Sequence, residues 1–186
     1  NAWGQFGNDF LPTMGELAYA DSDPDLPAGN PSGPIAAMNV VRVLDATGSV
    51  TTVFHDPAWL VVEVKFVNGG QNLAIKLVES FDMASELPQQ DYRAVLLSRD
   101  GTQTEMLRYP SYYWMEDVPG GFITLWSEVA SVENPAPATL IDYFPVNGGG
   151  TRAWEFMPQD GQPIFWEIAW ASPDTPQTGL PPFTAR

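Results

Sequence analysis

The feature that most constrains this chain is a hydrophobic period of two. Leu60, Val62, Val64 and Phe66 alternate with Glu63 and Lys65, and Ile164, Trp166, Ile168 and Trp170 alternate around Glu167. A helix turns positions i and i+2 to nearly opposite sides, so this spacing makes a continuous apolar face only in a β-strand. Runs of the same kind occupy 36–45, 50–55, 72–80, 92–99, 102–108, 111–116, 121–129, 138–144 and 151–157. With the first two they make about eleven strands, an all-β chain.

Turn chemistry says how the strands connect. Asp100-Gly101 and Asp160-Gly161 are hairpin signals, because glycine accepts the positive φ of a tight turn. Asn68-Gly-Gly, Pro119-Gly-Gly and Asn147-Gly-Gly-Gly mark further turns, and 131–137 reads as a longer loop. Consecutive strands are therefore expected to be antiparallel. The architecture expected is a two-sheet β-sandwich, immunoglobulin-like or jelly-roll-like in type though without the paired cysteines of immunoglobulin domains, with a closed β-barrel as runner-up. Successive strand pairs share no fixed spacing, so no internal repeat is expected.

Residues 1–34 are rich in Gly, Pro, Asn and Asp and read as an extended arm, with a short helix allowed over 13–20. Residues 172–186 carry four prolines, which cannot donate to a sheet interior, and read as a second arm around a domain of residues 35–171. Another helical turn is allowed over 81–87. A chain of 186 residues with seven Trp, ten Phe and six Tyr can build a core without a staple.

Charge and cysteine content remove several function classes. The formal charge of −15 repels phosphate backbones, so nucleic acid is not an expected partner. With no cysteine there is no disulfide, thiolate metal site or cysteine nucleophile. The longest uninterrupted apolar run, Ala58 to Val62, is far short of the roughly 18 residues of a transmembrane helix, so no transmembrane segment is expected. The chain opens at Asn1 without an initiator Met, which suits a mature periplasmic or extracellular protein after signal-peptide removal.

Candidate chemistry is sparse, and each candidate has a plainer structural reading beside it. His55, the only histidine, sits beside Asp56 and could act as a general base, but no nucleophile motif accompanies it. Glu155 and Glu167 lie on candidate strands beside Trp154 and Trp166, the pairing a glycosidase needs and also an ordinary pattern of outward charges. Asp21, Asp23 and Asp25 open like a calcium-binding loop, yet Leu26 stands where such a loop has glycine and Ser32 where it has glutamate. A calcium ion is thus the one cofactor considered, against a solvated acidic arm.

The most distinctive cluster is aromatic. Tyr112, Tyr113 and Trp114 run together and Trp126 follows shortly after. Exposed rings of this kind anchor protein interfaces or stack on sugars, while core packing uses the same residues. The leading expectation is a non-catalytic accessory or structural subunit that docks onto other protein subunits of a larger assembly through its arms and this patch. A carbohydrate-binding module is the alternative, and a small β-barrel enzyme or lipophilic-ligand carrier the second alternative.

Overall fold

The computed structural model describes residues 7–23, 25, 38–79, 91–109, 113–127, 132–133, 138–156 and 179–184. They form twelve strands and no helix. In chain order these are β1 (Asn8–Leu11), β2 (Glu16–Asp21), β3 (Val40–Leu44), β4 (Val50–His55), β5 (Trp59–Val67), β6 (Asn72–Glu79), β7 (Tyr92–Ser98), β8 (Gln103–Tyr109), β9 (Tyr113–Val118), β10 (Gly121–Ser127), β11 (Thr139–Pro145) and β12 (Thr151–Phe156). Every pairing is antiparallel and joins neighbours in sequence.

The strands fall into three sheets, not the two expected of a sandwich. Sheet A is β1-β2-β3-β4, sheet B is β5-β6-β7-β8 and sheet C is β9-β10-β11-β12 in order across the sheet. Each is an open meander, so among the described residues neither a Greek-key crossover nor a closed barrel occurs. The period of two fixed the strands but carries no information on how many sheets share them.

Sheet B lies between the other two and is buried on both faces. Val61, Val64, Phe66, Leu73, Ile75, Leu77, Val95 and Leu97 pack against Leu11, Ala18, Val41, Val43, Val53 and Phe54 of sheet A. On the opposite face Leu60, Val67, Ala74, Val78, Tyr92, Ala94, Leu96 and Leu107 pack against Met115, Phe122 and Phe144 of sheet C. A bulge between Val61 and Glu63 shifts the register of β5 on β6. It puts Leu60 against sheet C while Val64 and Phe66 face sheet A, where unbroken alternation would have kept all three together.

The three sheets repeat one plan. Their first strands begin at Asn8, Trp59 and Tyr113, about fifty residues apart. Each first strand enters its turn through a positive-φ glycine, Gly15, Gly70 or Gly120, and each third strand does so through Gly48, Gly101 or Gly148. At Gly70 the requirement is doubled: φ is +88° and a Cβ would collide with the Leu11 side chain of sheet A. An internal repeat therefore exists, contrary to the sequence expectation.

The N-terminal segment differs from expectation as well. Residues 8–21, whose composition suggested an arm with a helix, form the β1–β2 hairpin that completes sheet A. Glu16 and Ala18 point inward while Leu17 and Tyr19 sit half-buried on the other face, an alternation that a helix over 13–20 would not give. At the other terminus Leu180–Thr184 is irregular in backbone, yet Phe183 is buried in the A–B core and packs 6.3 Å from the Phe66 ring. The helical turn considered over 81–87 and the strand over 164–170 lie outside the described residues.

Candidate functional site

The first strands of the three sheets converge, and polar chemistry collects where they meet. Asp9 on β1 accepts the Phe66 amide of β5 at 2.8 Å. The Asp117 carboxylate on β9 accepts the Asn68 amide at 3.3 Å, just past the end of β5. Lys65 on β5 reaches Glu116 on β9 at 2.8 Å and Glu63 on its own strand at 3.7 Å. Carboxylates thus reach across both seams to the middle sheet.

Between β1, β5 and β9 lies a cleft of about 280 Å³, lined by Asp9, Phe10, Lys65, Gly70, Glu116 and Asp117 among others. Three carboxylates against one ammonium make its lining net negative, which favours a cationic group over an anion. Burial raises the Asp9 carboxyl above its ordinary range, although two backbone amides and Lys65 pull the other way.

Behind the cleft Lys76 on β6 is fully buried. Its ammonium lies 3.8 Å from Glu63 and 5.8 Å from the centre of the Tyr92 ring. Desolvation lowers the lysine to about 8, while Glu63 partly restores it. Burial likewise pushes the Glu63 carboxyl up, and Lys76 and Lys65 oppose the shift. This ladder escaped the sequence reading because Glu63 and Lys65 look like the wet side of an ordinary strand. In a middle sheet that side is largely covered, and Lys76 beside them is fully buried.

A second buried charge pair clips the A–B seam. The Arg99 guanidinium, in the turn between β7 and β8, holds both Glu16 oxygens at 3.1 and 2.7 Å. It also donates to the Gly70 carbonyl at 2.8 Å and the Pro181 carbonyl at 2.6 Å, and lies 4.4 Å over the Phe183 ring. The Arg99 carbonyl accepts the Thr184 amide and hydroxyl. One arginine so joins sheet A, two turns of sheet B and the C-terminal segment.

The residues singled out in sequence are dispersed. Trp114 on β9 is 55% exposed. Its register partner on β10 is Leu125, which pairs in turn with Ile141, so the three share the face of sheet C turned away from sheet B. Trp126 belongs to the opposite face. It packs in the B–C core, donates its indole N–H to Asp142 at 2.9 Å and lies under the Arg152 guanidinium, which also binds Asp142. Tyr113 is the register partner of Trp126, and Tyr112 lies outside the described residues. Trp114 and Trp126 therefore do not form one platform.

In the acidic run, Arg42 on β3 reaches Asp21 at 2.8 Å and Asp23 at 3.0 Å, supplying the positive charge that a calcium ion would bring. Asn39 holds the Asp23 backbone through both amide atoms, and Asp23 caps the Asp25 amide at 3.0 Å. Among the described residues no group of three or more His, Cys, Asp or Glu side chains could hold a metal ion. His55 closes β4 opposite Val40. Glu155 falls on β12 opposite Leu140, and Glu167 lies outside the described residues. No described helix is long and apolar enough to cross a membrane.

Comparison with protein-family models, with curated proteins and with solved structures returned no match.

Proposed function

We propose that this protein is a non-catalytic accessory subunit that docks onto a larger protein assembly through the β9 edge of sheet C, at Trp114. The observation that carries the reading is Trp114, a large ring held 55% exposed on an edge strand and backed by Leu125 and Ile141 in the same register row. A rigid indole on a sheet loses little side-chain entropy on binding, and tryptophan is enriched among the residues that dominate interface energies. Protein docking is preferred to glycan stacking because Trp126, the other ring of the expected platform, is engaged with Asp142 and Arg152 on the opposite face.

The reading is tested by gentle isolation of the protein from its source with native mass analysis. Co-purification with defined partners at fixed stoichiometry, lost in Trp114→Ala while the thermal melt is unchanged, is the expected result. Partners retained in full by the variant would move the docking surface elsewhere. Recovery of the wild-type chain without any other protein would sink the subunit reading.

A further inference from the structure

The segment Leu180–Thr184 sits on the A–B corner as a bound peptide would. It joins no sheet as a strand, and of its five residues Phe183 is buried, Leu180 half-buried, and Pro181, Pro182 and Thr184 exposed. A strand of the fold does more: β6 alone buries Leu73, Ala74, Ile75 and Leu77. The segment instead places one ring in the core and closes on one residue. Its Pro181 carbonyl accepts from the Arg99 guanidinium at 2.6 Å, and its Thr184 amide and hydroxyl donate to the Arg99 carbonyl at 2.8 and 3.0 Å. Between these contacts the Phe183 ring lies 4.4 Å from the guanidinium, with its centre 6.3 Å from that of the Phe66 ring. A buried aromatic anchor flanked by main-chain hydrogen bonds is how folded domains hold extended peptides.

The socket is held by groups outside the segment. Glu16 binds the Arg99 fork through both carboxylate oxygens, and the Gly70 carbonyl accepts from its Nε–H. Phe66 is fixed on β5, where the Asp9 carboxylate holds its amide. A receptor ordered by its own contacts loses little freedom when it is filled. The segment is set in advance as well. Two successive prolines hold φ at about −65° and push Leu180 and Pro181 toward extended backbone. Such pre-extended, proline-led segments bind aromatic-lined sites at a low entropy cost.

We propose that the A–B corner around Arg99 is a peptide-recognition site, and that Leu180–Thr184 is its resident ligand, displaceable by another segment of the same pattern. The contacts define that pattern: a carbonyl for the guanidinium, an aromatic ring two residues later, then a residue that donates from both its amide and a hydroxyl, all led by proline. Being part of the same chain, the resident segment acts at an effective concentration on the order of millimolar. It therefore keeps the site filled, and a second segment enters only in competition with it. The chain carries both the site and its inhibitor.

Titration of the full-length, nitrogen-15-labelled chain with a peptide of residues 179–184, blocked at both ends, tests this by amide NMR. In Phe183→Asp, whose own segment is expelled, saturable shifts are expected at the Gly70, Arg99 and Gly101 amides, with half-saturation on the order of 1 mM. The wild-type chain should respond at least tenfold more weakly, and a peptide carrying Phe183→Ala should shift nothing. The dispersion of the spectrum reports whether the variant is folded. Should Phe183→Asp unfold the chain, the titration is read on Thr184→Pro, which alters an exposed residue and removes both donors to the Arg99 carbonyl. No shifts in the folded variant, an equal response in the wild-type chain, or an equal response to the alanine peptide would overturn the proposal. Trp114 lies on sheet C and should not respond, so this reading and docking through β9 fail independently.

Discussion

The two seams of this molecule join the same kinds of sheet yet are filled differently. Between sheets A and B the packing is aliphatic and aromatic, closed at one corner by the Arg99–Glu16 pair with its hydrogen bonds nearly satisfied. Between B and C the apolar cluster is shared with Lys76, Thr124 and Asp142, all buried. The first seam keeps its charge at its margins, in the well-coordinated Arg99–Glu16 clip and at Asp9, and the second spreads charge through its core. A buried ion contributes to stability only when its desolvation is offset by close, complete coordination. The Arg99 guanidinium meets that demand with four hydrogen bonds, whereas burial pulls Lys76 down to about 8 despite Glu63 at 3.8 Å.

Glu16→Ala is the sharpest way to break the comparison. It leaves the Arg99 guanidinium buried without its counter-ion, and a loss of about 3–5 kcal/mol is expected in denaturant unfolding at pH 7. A loss below about 1 kcal/mol would mean that the clip is no better than a surface pair.

In the second seam the sign reverses. Lys76→Met combined with Glu63→Gln removes the charge of both partners at similar volume, and a gain of about 1–2 kcal/mol is expected at pH 7. Because the folded lysine titrates near 8 and its ordinary value is 10.5, the unfolded chain binds more protons between those values. Wild-type stability therefore rises with pH across that window through this group, and the advantage of the double variant shrinks from pH 8 toward 10.5. A margin constant in pH would show that Lys76 folds with its charge unperturbed.

The smallest effect belongs to the cleft. Lys65→Ala removes the 2.8 Å contact to Glu116, whose side chain is half-exposed, and no more than about 1 kcal/mol is expected. That loss should fade in high salt, since solvent and ions reach the pair. A larger, salt-independent loss would place the cleft lysine with the buried clip instead.

The same contrast explains what sequence could and could not convey. Strands such as Tyr92–Ser98 and Thr139–Pro145 were legible because β-branched and aromatic residues recur in them and a glycine turn follows each. The stack of three sheets was not, since alternation reports two faces per strand and says nothing of what covers them. Lys76 sits inside Leu73-Ala-Ile-Lys-Leu-Val78, which reads as an apolar run with one ordinary interruption. The repeat was legible in principle through Gly15, Gly70 and Gly120, each followed within three residues by Leu17, Leu73 or Phe122. Unequal connections after the second strand hid it. Of the expected aromatic site, only the exposure of Trp114 follows from a solvent-facing strand position, whereas the role of Trp126 depends on Asp142 and Arg152 from later strands.

The docking of Phe183 and Pro181 onto Arg99 also sets an order of events during synthesis. Pro181 lies 82 residues after Arg99 in the chain. At ordinary elongation speeds that interval lasts roughly 4–16 s. Sheets A and B can meet well before it ends, but one corner of their shared core stays unroofed, with a guanidinium waiting for a carbonyl. The nascent protein thus passes through a defined stage with an open hydrophobic corner, and the earliest seam is sealed only once residues 181–184 have been made.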